Sequence, residues 1–245
     1  LYNSGQEIGI PGSPQGTARA DIKATEGWEE TKGSPDIIIA ILDSGVDLLH
    51  PELADKTVSG GRDFINDDFD ATDDHYHGTM MASMAAADTN NGEGIAGVAW
   101  NCLILPVKIV DQEGFGDYAT LIEGLMWAAD EGADIINLSV GGATPSPSLE
   151  AALQYAYDKG VVIVAAAGND TNQVVYPAAY DQYCLAVGAT DYNDQRAAWS
   201  ATGPEIDVAA PGERILGAVP TWLYGPNSLP YAFGWGTSAA TALVT

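Results

Sequence analysis

Asp43, His77 and Ser238 are the residues of this chain whose types could combine into covalent chemistry. A serine hydroxyl is a weak nucleophile and needs a base to take its proton. An imidazole does this near neutral pH, and a carboxylate behind it fixes the tautomer and stabilises the imidazolium. Such a trio attacks a carbonyl and passes through an acyl intermediate. Each residue alone has a plainer reading. Asp43 closes the apolar run 37–42 and precedes Ser44-Gly45, as a turn residue does. His77 opens a stretch of small residues, and a serine after a glycine-rich turn such as 234–237 reads as a helix N-cap. Asn169, behind Gly168, reads alone as a loop asparagine in a left-handed turn.

Residues so far apart need a scaffold to meet. Segments 37–42, 103–110, 135–140, 161–166 and 185–187 are apolar runs of strand length. Between them lie helix candidates at 78–88, 118–131 and 148–159. In the second, Tyr118, Leu121, Ile122, Leu125 and Met126 recur at three- and four-residue spacing and form one apolar face. Gly132 and Gly160 follow two of these segments as helix C-caps. Strands apolar on both faces and separated by helices predict an α/β domain, a mostly parallel central sheet with helices on both faces. Such sheets bind ligands at the carboxyl ends of their strands. The segments 43–45, 139–142 and 167–170 all follow predicted strands, so their polar groups are expected along one edge. Residues 1–20, rich in Gly, Pro, Ser and Gln, are expected to form an extended arm, and 21–245 a single domain.

Composition narrows the function classes. Nine Lys and Arg stand against 34 Asp and Glu, a formal net charge of -25. That surface repels phosphate backbones, which excludes nucleic acid as a partner, and it favours cations. No apolar run approaches membrane-spanning length. Cys102 and Cys184 each start an apolar strand and are expected as free, buried thiols. A dinucleotide or phosphate-loop enzyme is excluded, because neither glycine-rich signature is present.

Six ordered segments resemble motifs of the subtilisin-like (subtilase) serine peptidases. They are Asp43-Ser-Gly with His50-Pro-Glu-Leu53, His77-Gly-Thr79, Asn137 to Gly142, Ala165 to Asn169, Pro204 to Gly212, and Gly236-Thr-Ser238. The order Asp, His, Ser is also the family's. The resemblance runs from about Ile22 to the end of the chain. Met80 and Ser83 stand where the family has His and Gly, Trp235 replaces an Asn, and Thr241-Ala242 replaces an Ala-Pro pair, which removes the expected kink. The chain stops seven residues after Ser238, and on the family pattern a longer C-terminal part is expected.

The resemblance implies an endopeptidase with an Asp43-His77-Ser238 triad, acting on polypeptides with broad specificity and an apolar preference. It implies an oxyanion site shared by Asn169 and the Ser238 backbone. Ser139, Val140 and Gly141 would form the substrate strand, with Gly114, Phe115 and Gly116 opposite. Tyr118, Leu121 and Val140 would line the pocket for the fourth residue before the scissile bond, and Ala166, Gly168 and Val175 the first pocket. Structural calcium is implied at two loops. One combines Glu52 with Thr89, Asn91, Glu93 and Ile95, and Glu52 stands where the family has Asp. The other, of thermitase type, offers Asp63, Asn66, Asp68 and Asp70, whose clustered hard oxygens suit that ion. A secreted monomer is expected. The alternative from another class is a non-catalytic domain of the same fold that binds a peptide or partner.

Overall fold

Seven parallel strands in the order β2-β3-β1-β4-β5-β6-β7 form the sheet of the computed structural model, which describes residues 17–58, 60–169, 172–224 and 230–245. The strands are β1 (Ile38–Asp43), β2 (Arg62–Asp63), β3 (Leu103–Lys108), β4 (Ile135–Leu138), β5 (Val162–Ala166), β6 (Cys184–Thr190) and β7 (Ile206–Pro211). An antiparallel hairpin, β8 (Glu213–Ala218) with β9 (Tyr231–Trp235), stands apart from the sheet. The helices are α1 (Ala24–Glu30), α2 (His77–Ala86), α3 (Tyr118–Asp130), α4 (Pro147–Asp158) and α5 (Thr237–Val244). Most of the expected N-terminal arm lies outside the described residues, and 17–20 form a turn.

The two faces of the sheet are covered as the apolar runs predict. Ala40, Leu42, Leu105 and Val107 pack with Leu121, Leu125, Leu149 and Leu153, so α3 and α4 cover one face. Ile39, Ile41 and Ile104 pack with Met80, Met81, Met84 and Ala239, so α2 and α5 cover the other. The alternation along β1 is the period of two that a strand imposes. Asp117 caps α3 by accepting from the N–H groups of Ala119 and Thr120, and Ser146 caps α4. Gly132 and Gly160 end these two helices in the left-handed conformation, with the N–H groups of Ala133 and Val161 returning to Ala128 and Ala156.

At Met80, Ser83 and Thr241, which depart from the family pattern, local contacts accommodate the residue present. Met80 is buried, and a Cβ on Gly217 or Gly234 would lie within 2.7 Å of its side chain, so two glycines of the hairpin make room for it. Ser83 donates to Met80 O at 2.8 Å and accepts from Ala218 N at 2.9 Å, tying α2 to β8. α5 runs on through Thr241, whose hydroxyl donates to Thr237 O at 2.7 Å. Both cysteines are free and buried, and burial pushes the Cys184 thiol up to about 12. No helix among the described residues is long and apolar enough to cross a membrane.

Candidate active site

Asp43 is the last residue of β1 and is wholly buried. Gly78, the second residue of α2, lies directly on the loop that follows: a Cβ there would meet Gly45 O at 2.1 Å. That close approach sets His77 against Asp43. Its Nδ1 lies 2.8 Å from each carboxylate oxygen, so the proton on Nδ1 is held and Nε2 is left to act as a base. Behind the pair, Asp73 accepts from the Ser44 hydroxyl at 2.9 Å and from Thr79 N at 3.0 Å, while Ser44 Oγ accepts from Gly78 N at 3.0 Å. Burial pushes the Asp73 carboxyl up, against the hydrogen bonds it accepts. For His77, burial favours the neutral ring, but the Asp43 charge and hydrogen bond, with the Asp73 charge, outweigh it and leave the pKa raised.

Ser238 arrives from another direction. The β8–β9 hairpin delivers the chain to Gly236, which caps α5 with φ 128°, and Ser238 is the second residue of that helix rather than its cap. Its N–H is therefore one of the free donors of a helix start. The Ser238 hydroxyl donates to Ser139 O at 3.0 Å, and the Ser139 hydroxyl donates to Ser238 O at 3.1 Å. No hydrogen bond joins Ser238 to His77 among the described residues, and such bonds often form only in the reacting complex.

Asn169 follows β5 and is oriented by its acceptor. Its Oδ1 accepts from Thr237 N at 2.9 Å and from the Thr237 hydroxyl at 3.2 Å, which leaves the amide Nδ2 to donate elsewhere. A Cβ built on Gly236 would lie 3.2 Å from that Nδ2 and 3.6 Å from Ser238 N. The missing side chain thus leaves a space toward which two N–H donors converge. A space of that kind suits an oxygen that gains negative charge.

The cleft beside these groups has a volume of about 360 Å³. Asp43 and His77 line it together with Gly114, Phe115, Gly116, Tyr118, Leu121, Ser139, Val140 and Gly141. Ten of the residues singled out from the sequence therefore meet in one place. Val140, Gly141 and Gly116 have no main-chain partner among the described residues, so open backbone edges line both walls. Tyr118 bridges those walls by donating to Thr144 O at 2.6 Å. Leu121 lines the cleft and also belongs to the α3 core. Ala166 and Gly168 lie at and just beyond the end of β5, and Val175 N donates to Ala167 O at 2.9 Å, which brings Val175 alongside that segment.

Of the two acidic loops, the one around Glu52 suits a cation better. Glu52 is buried; its Oε1 accepts from Tyr231 and from Ile95 N, while its Oε2 is buried with no partner. Thr89, Asn91, Glu93 and Ile95 lie on the adjoining loop. In the 63–70 loop, Asp63 accepts from Ile65 N, Asn66 N and Asn66 Nδ2, and Asp70 accepts from Thr72. Arg62 pairs with Asp67 and donates to Asp68 O at 2.8 Å, so part of that loop's charge is already matched. Among the described residues, no three His, Cys, Asp or Glu side chains stand together as a metal cluster.

Sequence reasoning missed Lys108, which sits buried beside the Asp43–Ser44 turn, and His75, which lines the cleft. It read Gly236 as part of the serine motif and not as the cap of α5. A lysine inside the apolar run 103–110 is the one signal that could have been found; the rest depends on contacts made across the chain.

Comparison with known proteins agrees with this geometry. Residues 34–245 match the model of the subtilase family. The chain is 43% identical to thermitase of Thermoactinomyces vulgaris over 220 residues, covering 90% of this chain and 76% of that protein. It is 42% identical to the thermophilic serine proteinase of Bacillus sp. (strain AK1), covering 87% of this chain and 51% of the relative. With the halolysin of Haloferax mediterranei it shares 41%, over 93% of this chain and 44% of the relative. It thus spans about half the length of the last two. The crystal structure of a cold adapted subtilisin-like serine proteinase superimposes with a TM-score of 0.75 at 30% identity, over 86% of this chain and 74% of that one. The chain belongs to the subtilase family.

Proposed function

We propose that this protein is a serine endopeptidase acting on polypeptides through an acyl intermediate, with Asp43, His77 and Ser238 as its triad. The observation that carries the reading is the convergence of Asn169 Nδ2 and Ser238 N beside Gly236, one helical residue from a serine hydroxyl. An extended peptide adds as a strand between 139–141 and 114–116, using the open main-chain edges. Ser238 Oγ turns from Ser139 O, gives its proton to His77 Nε2 and attacks the scissile carbonyl. The carbonyl oxygen moves into the space between the two donors as its charge grows. His77 then protonates the departing amine, and water repeats the sequence on the acyl group. Ala166, Gly168 and Val175 form the first pocket. Tyr118, Leu121 and Val140 take the side chain four residues before the scissile bond, and both pockets favour apolar groups.

Calcium is proposed as structural. Glu52, Asn91 and the loop oxygens of Thr89, Glu93 and Ile95 would hold one ion, and the unpartnered Glu52 Oε2 is the group such an ion would satisfy. Asp63, Asn66, Asp68 and Asp70 would hold a second once Asn66 releases Asp63. Either ion would neutralise carboxylates, and the second would brace the segment leading to His77. The protein is proposed to act outside the cell as a monomer.

Casein hydrolysis should vanish in Ser238→Ala, while Asn169→Ala should lose about 10²–10³ in kcat with little change in KM, as befits a donor used mainly in the transition state. A variant that loses affinity but keeps turnover would contradict that role.

Catalysis requires the neutral imidazole, and the raised pKa of His77 keeps it protonated to a higher pH than an ordinary histidine. The acid limb of kcat/KM should therefore lie above about 6.5, and Asp73→Asn, which removes a charge favouring the imidazolium, should move it down. An acid limb at or below that value, or one unmoved in Asp73→Asn, counts against the assignment.

Chelation should lower the thermal midpoint and speed autolysis, and calcium should reverse both where sodium at equal ionic strength does not. Asp68→Asn should reduce the calcium response while leaving the triad's chemistry alone. Equal rescue by sodium would mean general screening of an acidic surface.

A further inference from the structure

Lys108 ends β3 and is only 1% exposed, an unusual place for an ammonium group. Burying such a charge is expensive unless every proton on it finds an acceptor. Here all three do. Nζ donates to Ser44 O at 2.9 Å and to Val110 O at 3.0 Å, and it pairs with Asp74.

The three acceptors belong to three different segments. Ser44 directly follows Asp43 at the end of β1. Val110 leads from β3 into the cleft wall at 114–116. Asp74 stands three residues before His77, beside Asp73. Ser44 passes the restraint on, since its hydroxyl accepts from Gly78 N and donates to Asp73. The charged and titratable groups near Lys108 are Asp43 across the β1–β3 register, Asp63 across the β2–β3 register, and Asp73, Asp74, His75 and His77 on the segment entering α2. A leucine or methionine would fill the same core volume. Neither could hold two carbonyls and a carboxylate from separate segments at one point.

We propose that Lys108 is a positioning residue for the reaction: its buried ammonium locks the ends of β1 and β3 and the approach to His77 together, so that the Asp43–His77 pair and the cleft wall stay aligned. The inference rests on the endopeptidase reading above.

The test is kinetic and counts active sites. Wild type, Lys108→Met and Asp74→Asn are titrated with a fluorophosphonate, and kcat and KM on a peptide substrate are expressed per labelled site. Lys108→Met should lose about 10- to 100-fold in kcat per labelled site with KM nearly unchanged, the scale of a small misplacement of reacting groups. Asp74→Asn removes only the partly exposed partner and leaves both carbonyl contacts, so it should lose less. The double variant should be no worse than Lys108→Met. A purely structural lysine would lower the melting temperature and the number of labelled sites but leave kcat per site intact, and that result overturns the proposal. Should Lys108→Met fail to fold, an unchanged kcat per site in Asp74→Asn overturns it as well. A wild-type protein that takes no label at all would instead sink the endopeptidase reading.

Discussion

The hydrogen-bonded pair of Asp43 and His77 is the interaction on which the rest of the structure depends. It joins the end of a central strand to the start of a helix on one face of the sheet. Both elements must approach within backbone contact, which is why Gly78 stands where a side chain would collide with the Gly45 carbonyl, and Gly45 where one would collide with the main chain of Ala71 and Asp73. The pair also concentrates charge in a buried place, since Asp43 and Asp73 are both shielded from water. Ser44 and Thr79 donate to Asp73, and Ser44 N and His77 Nδ1 donate to Asp43, which makes this burial tolerable. Without them, two carboxylates behind one imidazole would repel each other in a low-dielectric site.

The nucleophile is organised separately. Thr237 fixes Asn169 through two contacts, and Ser139 exchanges hydrogen bonds with Ser238, so α5 is stitched to the ends of β4 and β5. The two halves pack together through α2 and α5, but the serine hydroxyl is parked on a carbonyl rather than on the imidazole.

Much of this was legible in the chain because buried parallel strands leave unbroken apolar runs. The 37–42 and 103–110 runs correspond to β1 and β3, and Gly132 and Gly160 mark the ends of α3 and α4. The family was legible through the motifs around Asp43, His77 and Ser238. The strands β7, β8 and β9 were not, since they are largely half-exposed and the hairpin carries glycines that serve Met80 rather than a strand pattern. α1 also escaped: it is one short stretch whose cap position, Lys23, makes no side-chain capping bond. Ser238 reads as a cap in sequence because the true cap, Gly236, has no side chain to announce it. The role of Lys108 depends on three acceptors from distant segments, which no local pattern can reveal.

The central claim is that the two halves assemble one site for a peptide carbonyl, and a crystal structure with a peptidyl boronic acid tests it most directly. Boron should be bonded to Ser238 Oγ, with the Ser139 contact released. One boronate oxygen should lie between Asn169 Nδ2 and Ser238 N beside Gly236, and the peptide should run as a strand between 139–141 and 114–116. A ligand bound elsewhere, or a boronate lying in the cleft while Ser238 stays on Ser139 O, would contradict it.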